Sequence, residues 1–216
     1  IPVYGTPLTM GLVGNKLKEH NLVSSARLNV VNAGDVVKMG CMDVELIHVN
    51  HSIPDSVGVA IHTPAGTLVH TGDFKIDCTP AAGTITDLTR FAELGKEGVL
   101  ALMADSTNAE RPGYTKTEAK VQESFERLFV RAQNRRIIIA TFASNINRIQ
   151  QIVNCAYANN RKVAFSGRSM LNYMQVATEL GYVDVPQGVI IDIDSLNQYT
   201  PEQIVLVTTG SQGEPM

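Results

Sequence analysis

The chain has no tryptophan, and aromatic residues make up only 6% of its 216 positions. Extended base stacking is therefore limited, and any contact with a nucleic acid would fall on phosphate and sugar more than on bases. Cysteine is scarce as well: Cys41, Cys78 and Cys155 lie far apart, with no Cys-x-x-Cys pair. That spacing argues against a disulfide framework and a thiolate zinc knuckle and for a reducing compartment, the cytoplasm by default. There is no basic excess. Eighteen Lys and Arg stand against 21 Asp and Glu, a net charge of −3, so a polyanion site would have to be a local groove. No apolar run is long enough to span a bilayer, which leaves no membrane partner, and the start "IPVYGTPLTM" is neither a signal peptide nor an initiator methionine. Opening on Ile1 in a strand-like run and ending on "TTGSQGEPM", the sequence reads as a piece of a longer protein. What it does have is a 44% hydrophobic share, enough to bury one large core or two small ones.

The first half reads as mostly β. After a helix at about residues 10–20 come the runs "RLNVV" (27–31), "DVVKM" (35–39), "MDVELIHVNH" (42–51), "SVGVAIHT" (56–63) and "TLVHT" (67–71), with Pro64-Ala65-Gly66 as a hairpin signal. From Asp87 onward helices and strands alternate. Helices are expected near 88–96, 117–132, 145–159 and 168–180, and strands at 98–105, 135–141, 162–166, 188–192 and 203–209. Alternation of this kind implies a parallel sheet with right-handed crossovers, and the run Ile137-Ile138-Ile139 suits a sheet covered on both faces.

Polar clusters stand at the strand ends: "NHSIPDS" (50–56), "HTGDFKID" (70–77), "ADSTNAERPG" (104–113), "FASNINR" (142–148), "SGRSM" (166–170) and "TTGSQGEPM" (208–216). The C-terminal ends of parallel strands share one edge, where ligands bind. Asp73 follows Gly72 at such an end and either caps the turn or holds its charge in a cleft. His51 and Asp73 together supply an imidazole and a carboxylate, half of a hydrolytic metal site. The other histidines do not complete it. His48 is three positions from His51, which puts the two on opposite faces of an extended strand, and His70 stands in the same relation to Asp73. His48, His62 and His70 read as hydrogen-bonded strand residues, and His20 as a cation at a helix C-terminus.

In their order and spacing, "NHSIPDS", "VHTGDFKID", "ADSTNAERPG", "TFASNINRIQQ", "GRSM" and "TGSQGEPM" resemble the ribonuclease J family, of the β-CASP branch of the metallo-β-lactamase superfamily. The resemblance covers essentially the whole chain. It implies an α/β fold: a partial metallo-β-lactamase αββα layer at residues 1–109, then a β-CASP α/β domain with a mainly parallel sheet at 110–216, incomplete at its C-terminus. It also implies that His51 and Asp73 are metal ligands, with Asp73 bridging two Zn2+ ions, and that Asp105 acts beside a histidine near the scissile phosphate. The ordinary alternative for Asp105 is a turn cap over Ser106-Thr107-Asn108. The family's His-x-His-x-Asp-His cluster is absent and is expected before Ile1, and two further histidines are expected beyond Met216.

The α/β half is then expected to grip RNA. Arg168 and Ser169 open a helix directly after a strand, where backbone N–H groups and the helix dipole favour an anion. Ser144, Asn145 and Arg148 repeat the arrangement one strand earlier, and Gly210, Ser211 and Gly213 add a small-residue turn that a nucleic-acid backbone could approach. Ser and Asn at such points are also ordinary helix caps. By resemblance the whole protein is a bacterial RNA hydrolase with 5′-to-3′ exonuclease and endonuclease activity. Its expected partners are 5′-monophosphorylated RNA and, as a homodimer or homotetramer, its own copies. Two alternatives stand beside it: a small-molecule metallo-hydrolase of the lactamase or glyoxalase type, which would also use His51 and Asp73, and a catalytically dead RNA-binding or scaffold paralogue.

Overall fold

The structure, a computed structural model, describes residues 1–80 and 83–209. Contacts divide the chain into two compact units, Ile1–Thr117 and Glu118–Met216.

In the first unit, β1 (Pro2–Gly5) and β2 (Arg27–Val30) pair in parallel, joined by α1 (Pro7–Glu19). Pro7 at the first helical position starts α1 earlier than the expected residue 10, because its fixed φ suits a helix and its missing N–H would have had no partner there. The next N–H, from Leu8, is satisfied by Asp55 Oδ2 at 2.8 Å, so α1 is capped from a distant loop.

The main sheet of this unit has five strands: β3 (Val36–Met39), β4 (Met42–His48), β5 (Val57–Thr63), β6 (Gly66–His70) and β7 (Ala101–Met103), in that spatial order. The first four form an antiparallel meander, and β7 adds in parallel to β6, with Leu68 opposite Ala101 and His70 opposite Met103. Between β6 and β7 runs α2 (Leu88–Glu97). It begins at Asp87, whose carboxylate accepts the Arg90 N–H at 2.9 Å, and ends at Gly98. Leu94 and Phe91 on its inner face pack on Ile47, Ala60 and Val69 of the sheet. A fully buried leucine of this kind contributes about 1.5–3 kcal/mol. Only three residues of the expected 98–105 strand pair as β7, and Leu102 there is 63% exposed.

In the second unit, α3 (Glu118–Arg131), β8 (Ile137–Ala140), α4 (Ile146–Ala158), β9 (Lys162–Ser166), α5 (Arg168–Glu179) and β10 (Ile204–Thr208) alternate as the sequence predicts. The three strands are parallel in the order β8, β10, β9. Ile146, Ile149, Ile152, Val153 and Ala156 recur at helical spacing and form the buried side of α4. Val163, Ala164 and Phe165 of β9 and Ile204, Val205 and Val207 of β10 are buried as well. Arg161 is a buried cation that serves the fold. Its guanidinium donates to Ala132 O at 2.6 Å and Arg135 O at 2.9 Å, satisfying carbonyls just past α3, and lies 6.0 Å from the Phe129 ring centre.

Two expectations need correction. Residues 188–192 form no strand and contribute a single parallel bridge, Ile190 to Val163; Gly188 has φ +72°, and Asp192 already caps the following 3-10 turn. Ile138 is 64% exposed, so at β8 the apolar run is not covered on both faces among the described residues.

Candidate functional site

The strand directions bring three chemistry-bearing loops to one edge of the five-stranded sheet. Because β5 is antiparallel to both β4 and β6, and β7 is parallel to β6, the C-terminal ends of β4, β6 and β7 point the same way. His51 follows β4, Asp73 follows β6, and Asp105 follows β7.

Asp73 and Asp105 line the same open cavity of about 410 Å³, together with His70, Gly72, Ser106 and Thr107. Asp73 is exposed. Among the described residues its carboxylate makes no hydrogen bond or ion pair, so it does not cap the turn. Asp105 does serve its own turn: its Oδ1 accepts from the Thr107 N–H at 2.9 Å and from the Thr107 hydroxyl at 2.7 Å. Those bonds, the hydroxyl's first, hold its carboxyl below the ordinary value of 3.8; the His51 charge and the Phe74 N–H push the same way, while partial burial opposes them. Asp105 is thus anionic over the whole neutral range and lies within the electrostatic reach of His51. The His51 ring is half-buried and does not line the cavity; its Nδ1 meets the Ser52 hydroxyl at 3.2 Å.

His48, His62 and His70 are hydrogen-bonded as expected. His48 Nε2 contacts Thr84 through its hydroxyl (2.8 Å) and its carbonyl (3.2 Å), and His62 Nε2 meets Glu45 Oε2 at 3.1 Å. His70 Nδ1 accepts the Gly72 N–H at 2.9 Å, and His20 is the C-cap of α1. Since β4 ends at His48, the strand-parity argument never reaches His51.

As donors, an imidazole and an uncommitted carboxylate fit a divalent cation. They are too few to complete a site: among the described residues no group of three His, Cys, Asp or Glu is placed to hold a metal ion.

Sequence reasoning missed the buried polar groups that hold the three loops. Thr71, Asn50 and Thr86 are all buried. Thr71 Oγ1 accepts the Asp105 N–H at 3.0 Å and donates to Gly72 O at 2.8 Å, tying the β7 loop to the β6 loop. Thr71 and Asn50 lie inside the motifs quoted above, whereas Thr86 stands in "TITDLT" with no local sign of a role.

In the second unit, parallel register puts Ala140, Ser166 and Thr208 side by side, so the turns into α4 and α5 share an edge. Asn145 is the N-cap of α4, its side chain accepting the Arg148 N–H at 3.1 Å. The Arg148 guanidinium donates to both Glu118 carboxylate oxygens, at 2.9 and 3.1 Å. Both side chains therefore already have internal partners. Ser144 is half-buried, while Arg168 and Ser169, at the start of α5, are exposed. Gly210, Ser211 and Gly213 lie outside the described residues.

Comparison with known proteins agrees with this architecture. Residues 134–216 match the family model described as the beta-CASP domain of ribonuclease J. Over its whole length the chain is 43% identical to ribonuclease J2 of Bacillus subtilis, covering 39% of that protein. It is 45% identical to ribonuclease J of Corynebacterium glutamicum and 44% identical to that of Thermus thermophilus, covering 30% and 38% of those proteins. A crystal structure of a protein of unknown function from Enterococcus faecalis V583 superposes with a TM-score of 0.66 at 15% identity, over 98% of this chain and 54% of that one, a likeness of fold alone. The fold is thus mixed α/β, with a β-CASP domain of the metallo-β-lactamase superfamily in its second half. Along its whole length the chain is similar to ribonuclease J proteins, and it spans less than two fifths of the length of these relatives.

Proposed function

We propose that this chain is part of a metal-dependent bacterial ribonuclease, with residues 1–109 contributing to its metallo-β-lactamase domain and 110–216 to its β-CASP domain. The whole protein acts in the cytoplasm on 5′-monophosphorylated RNA, as a 5′-to-3′ exonuclease and an endonuclease in RNA decay and maturation. It works as a homodimer or homotetramer. The names of the relatives favour this over a small-molecule hydrolase or an inert paralogue.

One observation carries the reading: Asp73, a carboxylate with no partner among the described residues, shares a cavity with Asp105 at the sheet edge where His51 also emerges. His51 and Asp73 would hold metal, with Zn2+ the proposed ion and two per complete site. Bound there, divalent ions lower the pKa of a water and stabilise charge on phosphate oxygens. Asp105, kept anionic by Thr107, orients and charge-stabilises an imidazole supplied from outside this chain. At the second unit's edge, Arg168 and Ser169 bind phosphate at the exposed start of α5, with Ser144 on the turn into α4 that shares this edge; Gly210 and Ser211 belong to the same proposed phosphate-binding set and lie outside the described residues. Asn145 and Arg148 contribute by shaping the α4 turn, and an RNA phosphate would reach Arg148 only in competition with Glu118.

The test measures metal content and cleavage of 5′-monophosphorylated RNA. The 216-residue chain should bind metal weakly and not turn over. In the full-length protein, Asp73→Asn should lower activity by more than the ~10–100-fold that follows loss of an outer-shell partner. Stoichiometric dinuclear metal and robust cleavage by the short chain, or a fully active Asp73→Asn protein, would refute the assignment.

A further inference from the structure

The hydroxyl of Thr86 joins the loops that carry His51 and Asp73. Thr86 is 4% exposed and lies just before α2, in a segment that runs back beside the end of β4. There Asn50 Nδ2 donates to Thr84 O at 3.1 Å, and the Asp87 N–H donates to His48 O at 3.0 Å. Thr86 Oγ1 accepts the Asn50 N–H at 2.9 Å and donates to Lys75 O at 3.1 Å. The Lys75 N–H in turn donates to Asn50 O at 2.7 Å. These three bonds close a ring. Its corners are the peptide groups beside His51, those just beyond Asp73, and one side chain from neither loop.

We propose that Thr86 is a positioning residue, fixing the backbone at residue 50 against the backbone at residue 75 and so setting the His51 imidazole relative to the Asp73 carboxylate. The proposal rests on the reading of those two residues as metal ligands. A hydroxyl suits this corner because it accepts one bond and donates another. Valine has the same shape and neither capacity, and would take the Thr86 hydroxyl away from the buried Asn50 N–H and from the Lys75 carbonyl. Metal–ligand distances tolerate only a few tenths of an ångström. A loop released from its neighbour therefore loses affinity even when both ligands are still present.

The experiment compares Thr86→Val and Thr86→Ser in the full-length protein. In metal-free protein, amide hydrogen exchange should show protection lost at Asn50 and Lys75 in Thr86→Val and kept in Thr86→Ser, with Ile47 and Ala60 unchanged in both. Zinc titration against a competing chelator should show affinity ~10–100-fold weaker for Thr86→Val and nearly normal for Thr86→Ser. Lys75 protection that survives in Thr86→Val would overturn the proposal, as would unaltered zinc affinity in that variant or an equal loss in Thr86→Ser. Wild-type protein that takes up no zinc would instead overturn the metal assignment beneath it, an outcome the exchange data separate from failure of the ring.

Discussion

Gly58 and Gly72 meet where the first residues of β5 pass the loop after β6. A Cβ on Gly72 would stand 2.7 Å from Val57 O, and one on Gly58 would stand 2.8 Å from Thr71 O. Gly72 also has φ +63°, in the left-handed region that side chains disfavour. Gly72→Ala should therefore cost about 1–3 kcal/mol in urea unfolding, and it should displace Asp73 from the cavity it shares with Asp105. A variant as stable as wild type would show that the backbone there yields easily. At this scale the sequence is readable where chemistry and chain position coincide: a carboxylate after a strand-ending glycine stands out. Thr86 does not stand out, because its partners are 36 and 11 residues away and a threonine before a helix is unremarkable. Asp105 carries two readings, and its turn bonds to Thr107 show that capping a turn does not remove a carboxylate from a cavity wall.

Among the elements, α2 is held to the sheet by a charged clamp as well as by Leu94. Arg90 donates to Glu45 Oε1 at 2.7 Å and Oε2 at 3.0 Å, and it also reaches Glu93 and Glu97 on its own helix. The hydrogen bonds from Arg90 hold the Glu45 carboxyl below its ordinary value of 4.5, helped by His62 and opposed by burial. A carboxyl depressed in the folded state stabilises fully above its unfolded value and loses that contribution as pH falls through the folded one. Arg90→Met should therefore lower stability at neutral pH by about 1–3 kcal/mol and flatten the loss of Tm below pH 4.5. A Tm-against-pH curve merely shifted, with its acid limb unchanged, would refute the clamp. The helices are the most legible elements: the sequence predicts 117–132, 145–159 and 168–180, and 118–131, 146–158 and 168–179 are found. Their apolar spacing is set locally. Strands at 98–105 and 188–192 are over-read from sequence because pairing depends on what lies alongside. Val189 is buried, yet its run finds only one bridging position on β9.

For the molecule as a whole, each unit has its own buried core, Leu94 with Ile47 and Val69 in one, Ile152 with its α4 neighbours in the other. Ile152→Ala should cost about 2–5 kcal/mol, and hydrogen exchange should register it in β9 and β10 while the amides of β4 to β6 keep their protection. Equal loss in both units would mean that they unfold together. The change from meander to alternating α/β is plain in the sequence, since hydrophobic period reports it directly. The order of strands is not, because the three apolar runs of the second unit are equally suited to the middle. That order bears on synthesis. With β10 between β8 and β9, the two earlier strands have no bond to each other among the described residues, and the last of these three to be made is the keystone. A ribosome that has delivered everything through α5 has produced helices around two strands that still wait for each other. Only when residues 204–208 clear the exit tunnel can these three strands join, and until then the apolar edges of β8 and β9 stay without the strand that bridges them.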